Sequence, residues 1–268
     1  MFSRNIKMLN PKLLDKNRIY SCDNKGYLIY TTIDGDIKIK NERNILYSDE
    51  YKKDIKIFTK SKHLFTTVDE HVGLRVWNEV NSIYTYKHND MFYHDTSSAG
   101  TIASISDYSI RMFDVKQRYS FNSYRYFGGK KCVWKDDSIF YAFNAEGITQ
   151  FDIRNGSREL FAFVDIKDLI HTNESIYFIQ ERNNRRYLMK SNCNLLENFA
   201  SKPIGGKVLC KLDRRYNVII GGDEEIEFIG KEDIFYKNDQ IGIVNIIASH
   251  DNHYFLGTTV GLIMLFIQ

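Results

Sequence analysis

The sequence predicts an all-β protein assembled from seven copies of one four-stranded unit, and three observations predict it. The stretch Gly73–Asn78 reads as a short strand whose alternate residues face opposite sides, and weaker copies stand at Ser109–Asp114, Gly147–Asp152 and Gly261–Phe266. The apolar residue that opens this strand recurs at a nearly constant spacing. Tyrosine and phenylalanine are abundant, at 18 residues each, and aromatic residues favour strands.

The apolar residue that opens each copy of the strand, here called the anchor, marks the period of the repeat. Successive anchors are separated by 36 to 39 residues, a spacing typical of repeated structural units. The seven anchors are Ile37, Leu74, Ile110, Ile148, Tyr187, Ile226 and Leu262.

Each anchor strand is the third strand of its unit. A first apolar strand is predicted at Ile55–Phe58, Met91–Tyr93, Cys132–Trp134, Val208–Cys210 and Ile243–Ile247. A second is predicted at Tyr27–Tyr30, His63–Thr66, Thr101–Ser104, Ser138–Tyr141, Ser175–Phe178, Asn217–Ile220 and Tyr254–Gly257. Polar turns such as Asp34-Gly35 and Asp223-Glu224 join the second strand to the third, which is hairpin chemistry. A more polar fourth strand follows, as at Ser82–Tyr86 and Tyr119–Asn122.

A four-stranded sheet of this size cannot bury both of its faces alone. Radial stacking covers the faces and leaves only short edges, so the periodicity predicts a seven-bladed β-propeller. The chain reaches Gln268 directly after the seventh anchor strand, and the last unit therefore lacks a fourth strand of its own. We expect Ser3–Met8 to supply that strand and close the ring. The alternative is an open six-bladed propeller completed by a partner's strand, but seven anchors and a spare N-terminal strand favour closure.

Four stretches of the sequence resemble parts of WD40 repeats. Gly73–Asn78 resembles their third-strand signature, and Lys87–Tyr93 resembles the Gly-His loop with Lys87 in place of the glycine. Phe113-Asp114 and Phe151-Asp152 resemble the Trp-Asp dipeptide with phenylalanine for tryptophan. The resemblance covers essentially the whole chain. It implies a single WD40-like domain spanning residues 1–268, closed by the N-terminal strand, and a role in binding other macromolecules.

Composition and charge restrict the function. The formal net charge of +3 is too small for the whole surface to bind nucleic acid, so only a local patch could do so. We expect no signal peptide, because residues 1–7 contain no apolar core, and no membrane insertion, because no apolar run is long enough. The four cysteines are far apart in the sequence and indicate a reducing compartment, the cytoplasm or the nucleus or both.

No catalytic motif of specific spacing is present. The sequence contains no P-loop, no G-x-S-x-G, no H-E-x-x-H and no dinucleotide fingerprint. His250 and His253 are interpreted as residues of a solvated turn rather than metal ligands. We therefore expect a protein that is not an enzyme and uses no cofactor, no metal and no small-molecule substrate.

One constellation stands out as a candidate binding site. No acidic residue lies between Asp114 and Asp136, where basic and aromatic residues interleave, and a second basic cluster lies at 182–186. The first should be a loop between the third and fourth units, and the second the hairpin turn of the fifth. In a propeller both kinds of connection emerge on one face, where we expect the two clusters to lie together. The candidate residues are Tyr124, Arg125, Tyr126, Lys130, Lys131, Arg182, Arg185 and Arg186.

Two interpretations of these residues remain open. They could dock RNA phosphates or an acidic protein segment, with the tyrosines available for stacking. They could instead form a solvated loop face whose aromatic rings belong to the packing between sheets. The equivalent turns elsewhere contain Asp34, Asp36, Glu70, Glu224 and Glu225, so we expect the opposite side of this face to be acidic.

The function that these observations favour is a non-catalytic scaffold or adaptor within a multi-protein complex. The basic face favours a ribonucleoprotein setting, such as ribosome biogenesis, translation or RNA processing. The alternatives are a coat, nuclear-pore or ubiquitin-ligase substrate-receptor propeller and, third, a propeller enzyme. An enzyme would need convergent polar residues on the inner strands, where His94 is one of few candidates.

Overall fold

The architecture is described from a computed structural model of the chain. It describes residues 11–16, 19–24, 28–32, 37–39, 45–47, 56–61, 64–69, 73–78, 81–86, 91–117, 119–162, 165–172, 175–192, 195–211, 216–230, 234–250 and 253–266. Within these residues the elements are strands, apart from one single-turn 3₁₀ helix at Asp239–Ile241. The predicted all-β propeller architecture is confirmed. Within the described residues, no helix is both long enough and apolar enough to cross a membrane.

The strands of the described residues are arranged in seven four-stranded antiparallel sheets. Strand β1 (Lys12–Asp15) comes first in the chain and belongs to the seventh sheet. The first sheet contains β2 (Ile19–Asn24), β3 (Leu28–Thr32), β4 (Ile37–Ile39) and β5 (Ile45–Tyr47). The second contains β6 (Lys56–Ser61), β7 (Leu64–Asp69), β8 (Gly73–Asn78) and β9 (Asn81–Tyr86). The third contains β10 (Met91–Thr96), β11 (Thr101–Ser106), β12 (Ser109–Asp114) and β13 (Ser120–Arg125).

The remaining sheets follow the same order of strands. The fourth contains β14 (Lys131–Trp134), β15 (Ile139–Phe143), β16 (Gly147–Asp152) and β17 (Ser157–Ala162). The fifth contains β18 (Ile166–His171), β19 (Ser175–Arg182), β20 (Arg185–Asn192) and β21 (Leu195–Ile204). The sixth contains β22 (Val208–Lys211), β23 (Tyr216–Gly221), β24 (Glu225–Gly230) and β25 (Ile234–Lys237). The seventh contains β26 (Val244–His250), β27 (His253–Thr258), β28 (Gly261–Phe266) and β1.

Each anchor lies on the third strand of a sheet, as the repeat predicts. Burial explains why this position is apolar throughout, because the anchor packs between neighbouring sheets, where a polar side chain would lose its hydration. Among the anchors whose side chains are described, Leu74, Ile110, Ile148, Ile226 and Leu262 are fully buried and Tyr187 is half-buried.

The outer strand of the seventh sheet differs from the prediction. Strand β1 (Lys12–Asp15) pairs antiparallel with β28, with Lys12 opposite Met264 and Leu13 opposite Ile263. The expectation that Ser3–Met8 forms this strand is therefore wrong in its position, and residues 3–8 themselves lie outside the described residues. The physical reason that Lys12–Asp15 forms the outer strand is burial of Leu14. This side chain packs on a hydrophobic cluster that contains Phe255 and Leu262 of the same sheet.

Contacts between sheets follow the order of the chain. The first strand of each sheet contacts the first strand of the next, from β2 through β6, β10, β14, β18 and β22 to β26, and β26 contacts β2. The packing between the third and fourth sheets is aromatic, since the ring of Tyr124 on the third sheet lies 5.1 Å from that of Phe151 on the fourth, centroid to centroid. Aromatic contacts of this kind stabilise the faces that a single sheet would leave in water.

Two aspartates on innermost strands connect successive sheets. Asp95 accepts a hydrogen bond at its Oδ2 from the amide of Trp134, 3.0 Å away on the next sheet. Asp168 accepts one from the amide of Leu209 at 2.8 Å, again on the next sheet. Each carboxylate also accepts the amide that follows it in its own strand. These bonds fix the stagger of one sheet against the next.

Two adjacent buried threonines of the second sheet, Thr66 and Thr67, form side-chain hydrogen bonds. The indole Nε1 of Trp77 donates to Thr67 Oγ1 at 2.8 Å, within a buried hairpin. The neighbouring Thr66 hydroxyl forms a hydrogen bond of 2.5 Å with Nε2 of His94, on the third sheet. Trp77 is buried, and Trp134 packs partly buried against another cluster.

Candidate functional site

The two kinds of connection predicted to share a face do contact one another. Asn144, in the turn between β15 and β16, donates from Nδ2 to the backbone oxygen of Phe127, in the loop between β13 and β14, at 3.0 Å. Arg186, at the start of β20, donates from Nη1 to the oxygen of Gly205 at 2.9 Å, in the loop between β21 and β22. We call this side of the molecule, where the fourth-to-first and second-to-third strand connections emerge, the loop face.

The two tyrosines of the candidate patch belong to the packing between sheets. Tyr126 is buried, and its ring meets that of Phe151 edge-on at 5.6 Å. Tyr124 is half-buried against Phe140 and Phe151. Burial raises the pKa of both phenols, and for Tyr124 the negative charge of Asp152 adds to the effect. The expectation that these rings are available for stacking on a partner is therefore wrong, because both are engaged with the core.

Lys131 is also engaged within the protein. Its Nζ lies 2.5 Å from Asp168 Oδ1 on the fifth sheet and 5.8 Å from the centre of the Tyr93 ring on the third. A lysine paired in this way, and largely shielded from water, is part of the structure that joins the sheets. It is therefore removed from the set of residues that could contact a partner.

Arg125 and Lys130 keep their side chains exposed on the loop face. Arg125 ends β13, and Lys130 precedes β14, where its amide donates to the oxygen of Phe143 at 2.9 Å. The loop between them is fixed further by the amides of Tyr126 and Gly128, which donate to the oxygens of Tyr108 and Asp107. The two cations thus project from a loop whose backbone is held in place.

The arginine cluster of the fifth sheet forms the predicted hairpin turn. Asn183 and Asn184 both have positive φ, at 51° and 60°, which is the geometry of a type I′ turn and suits asparagine. Arg182 and Arg185 flank the turn and are exposed. Arg186 is half-buried. Its Nη1 donates a hydrogen bond to the backbone oxygen of Gly205, and its Nε lies 3.6 Å from Oε2 of Glu181.

The two clusters lie on the same face with the fourth sheet between them. The turn of that sheet contains the exposed Glu146, so the positive surface is interrupted. On the predicted acidic side, Asp34, Asp36 and Glu70 lie outside the described residues. Glu224 and Glu225 belong to the sixth sheet, which neighbours the arginine hairpin rather than standing opposite it. Acidic and basic side chains therefore alternate around this part of the loop face.

The structure presents a different aromatic pair at the surface. Tyr108 is 66% exposed and Phe127 is 59% exposed, and their rings meet edge-on with centroids 6.3 Å apart. Tyr108 lies in the turn between β11 and β12, and Phe127 in the loop that follows β13. Sequence reasoning missed Tyr108, although an aromatic residue inside a two-residue hairpin turn is a signal that could have found it.

Beside this pair an open cleft of about 400 Å³ lies between the third and fourth sheets. Phe127 and Leu160 form its walls, and the buried side chains of Tyr126 and Thr149 line its inner part. Arg125 and Glu146, both exposed, also line it. The cleft therefore combines two apolar walls with polar side chains and one residue of each charge, and such a mixture is typical of ligand-binding sites.

The inner-strand residue that the sequence offered for catalysis is His94. His94 is fully buried on β10 and hydrogen-bonded to Thr66. Among the side chains that the structure describes, no group of three or more His, Cys, Asp and Glu residues could hold a metal ion. The side chains of His250 and His253 lie outside the described set, although the two residues pair across the end of the β26–β27 hairpin.

Comparison with solved structures identifies the class of fold. The β-propeller domain of Cps50 (Swd1) from Myceliophteria thermophila superposes with a TM-score of 0.76 at 10% identity, over 97% of this chain and 100% of that one. The WD40 β-propeller domain of Doa1 gives 0.74 at 10% identity, over 97% and 96%. The computationally designed protein Ika8 gives 0.65 at 11% identity, over 94% and 97%.

The chain therefore has the fold of a WD40-like β-propeller. The sequence matches no protein-family model and no curated protein. At 10–11% identity these neighbours speak for the fold alone.

Proposed function

We propose that this protein is a non-catalytic adaptor that binds other proteins of a larger complex through its loop face. The observation that carries the proposal is the exposure of Arg125, Lys130, Arg182 and Arg185 on connections whose backbones are held by hydrogen bonds. A loop whose backbone is already held in place loses little backbone conformational entropy when a partner binds. The cytoplasm or the nucleus is the proposed location.

The adaptor is proposed to be a ring of seven blades, closed where β1 pairs with β28. Support comes from the contact of β26 with β2, which brings the last sheet beside the first. Closure protects the sheet edges that an open arrangement would expose, and it gives the protein two separate faces.

An acidic protein segment is the proposed partner of the four exposed cations. Arginine binds carboxylates with two parallel hydrogen bonds, which gives such a contact both strength and direction. The acidic residues that interrupt the positive surface, Glu146 among them, would repel a continuous phosphate backbone more than a protein segment with both charges.

RNA is the second candidate partner, as in a ribonucleoprotein. The observation that favours it is the hairpin at 182–186, where Arg182 and Arg185 flank two asparagines and stand exposed. Arginine and asparagine are both common in contacts to phosphates and bases. Coat, nuclear-pore and ubiquitin-ligase complexes remain the alternatives, and each would be recognised by its own set of co-purifying subunits.

The test is affinity purification of the full chain with mass spectrometry, with and without ribonuclease. Arg125, Lys130, Arg182 and Arg185 are replaced together by glutamate. The matched control reverses four exposed cations that do not lie on such connections, Lys12, Lys116, Arg154 and Lys190. We expect a fixed set of proteins to be lost with the first variant and retained with the control. Retention of every partner by both variants would overturn the proposal, and loss only after ribonuclease would favour RNA.

A further inference from the structure

We infer that the cleft between the third and fourth sheets receives an apolar side chain from an extended partner segment that places an acidic residue beside Arg125. The inference rests on the proposed adaptor function and names the site and the chemistry of its partner. The cleft shares Arg125 and Tyr126 with the patch that the sequence indicated, and it adds the walls formed by Phe127 and Leu160.

The walls of the cleft are apolar surface that the fold leaves in water. Phe127 is 59% exposed and Leu160 is 51% exposed, although both line a concave space. At about 400 Å³, this space could hold one large aliphatic or aromatic side chain with part of its backbone. Inserting such a side chain would remove both walls from water, which is the main source of affinity in small interfaces.

The cleft is already formed in the free protein. Asn144 Nδ2 donates to the oxygen of Phe127, while its Oδ1 accepts from the amides of Glu146 and Gly147 at 2.9 and 3.2 Å. One buried side chain thus fixes the loop on one side of the cleft to the turn on the other. A partner would meet a preformed site and would pay little to order it.

Tyr108 extends the apolar wall beyond the cleft. Its ring meets that of Phe127 edge-on, and both rings stand exposed. Exposed tyrosines beside a pocket are characteristic of the residues that contribute most to protein interfaces. An extended segment could therefore continue from the cleft across this ring.

The charges around the cleft favour a protein over a nucleic acid. Arg125 lines the cleft and Lys130 stands on the same loop, but Glu146 also lines it and Asp107 is exposed beside Tyr108. Two cations and two carboxylates leave no local excess of positive charge, which binding to a phosphate backbone requires. A peptide that pairs one carboxylate with Arg125 and offers backbone amides near Glu146 satisfies both charges.

The inference is tested by selecting random peptides of about 12 residues, displayed on phage, against the purified full chain. We expect the enriched sequences to share one large apolar residue with Asp or Glu within two positions of it. Fluorescence polarisation with one labelled peptide should show affinity falling about tenfold or more in Phe127→Ala and in Leu160→Lys. Arg125→Ala should lower the affinity for that peptide. It should not lower the affinity for a second peptide in which the acidic residue is replaced by alanine.

Leu13→Lys is the matched control, because Leu13 is 47% exposed on the outer strand of the seventh sheet, away from the cleft. It should bind like the parent protein, and circular dichroism should show that all variants are folded. Failure to enrich any shared sequence would overturn the inference, as would equal binding by Leu160→Lys. Competition by single-stranded poly(U) RNA that is lost in Leu160→Lys would also overturn it and would assign the cleft to nucleic acid.

The outcome can be separated from that of the adaptor proposal. If Leu160→Lys retains every partner in affinity purification while the four-cation variant loses them, the cleft inference fails and the adaptor proposal stands. If neither variant loses a partner, both fail.

Discussion

Lys131 and Asp168 form an ion pair with Nζ 2.5 Å from Oδ1, and it joins the innermost strands of the fourth and fifth sheets. The other oxygen of the same carboxylate accepts the amide of Leu209, on the sixth sheet, at 2.8 Å. A single side chain therefore holds three successive sheets in register. Lys131 and Leu209 lie 37 and 41 positions from Asp168 in the sequence, so no local sequence pattern predicts these contacts.

Asp168→Ala should destabilise the protein strongly. Asp168 is only 8% exposed, and its removal leaves a shielded ammonium group and a buried amide without their acceptor. Breaking a buried pair in this way costs about 3–5 kcal/mol of unfolding free energy. Urea denaturation followed by circular dichroism measures the loss. Arg154→Ala, which breaks an exposed ion pair with Asp152, is the control and should leave the midpoint almost unchanged. Equal midpoints for the two variants would contradict the structural role of Asp168.

Gly129→Ala should disturb the loop that bears the candidate patch. A Cβ at this position would lie 2.8 Å from the ring of Tyr126 and 3.0 Å from Ile105, and both neighbours belong to one packed cluster. Overpacking of this kind costs about 1–3 kcal/mol. Gly156→Ala is the comparison, because it also lies in a turn but its Cβ would meet nothing within 4 Å. Its positive φ of 68° should still cost about 1 kcal/mol. Thermal unfolding distinguishes the two, and a smaller loss for Gly129→Ala would argue against the described packing of Tyr126.

Thr67→Val should destabilise the second sheet through its effect on Trp77. The indole N–H loses its acceptor and stays buried, which costs about 1–3 kcal/mol. In the background of Trp77→Phe, where no indole N–H remains, the same change should cost clearly less. Urea unfolding of the four proteins in this double-mutant cycle gives the coupling energy. A coupling energy near zero would show that the hydrogen bond contributes nothing to stability.

Tyr86 should make stability fall in alkali. Burial, together with the charges of Tyr84 and Asp114, raises the pKa of Tyr86 from 10.0 to about 12, and its hydroxyl donates to the backbone oxygens of Gln117 and Asp114. The raised pKa means that the unfolded chain releases this proton first. The stability due to the protonated phenol is therefore complete below pH 10 and is lost as the pH rises from 10.0 to about 12.

Tyr86→Phe should remove the contribution of Tyr86 to the pH dependence of stability, so this variant is the control for the parent protein. Unfolding midpoints are measured for both proteins at about pH 9 and about pH 11. The parent should lose more stability between the two values than the variant does. The same slope in both proteins would contradict the raised pKa of Tyr86.

The sequence could predict the strands because their apolar positions repeat. The anchors Leu74 and Ile110 are fully buried on equivalent third strands. The repeat spacing of the sequence arises because this buried position recurs in every sheet. The outer strand of the seventh sheet could not be located from the sequence, because Lys12–Asp15 is short and has no alternation of apolar and polar residues. Only its pairing with β28 and the packing of Leu14 distinguish it from its surroundings.

The candidate patch was predictable in location but not in exposure. Lys130 and Lys131 are adjacent in the sequence, yet one projects into solvent and the other pairs with Asp168. Whether a lysine is exposed depends here on a carboxylate far away in the chain. Likewise, Tyr126 and Phe127 are neighbours, and only the packing of Phe151 against Tyr126 decides which ring is buried.

The proposed closure of the ring depends on the pairing of β1 with β28, which joins the two ends of the described chain. Lys12 and Met264 lie opposite each other on β1 and β28. Residues opposite each other on antiparallel strands have Cα atoms about 4.5–5.5 Å apart, within the range that a disulfide spans.

The direct measurement is oxidation of the Lys12→Cys/Met264→Cys variant, with mass spectrometry of the linked peptides. We expect an intramolecular link in most molecules and none in Lys12→Cys/Lys202→Cys, whose second position lies on the fifth sheet. Equal yields in the two variants, or links only between molecules, would contradict the closed propeller.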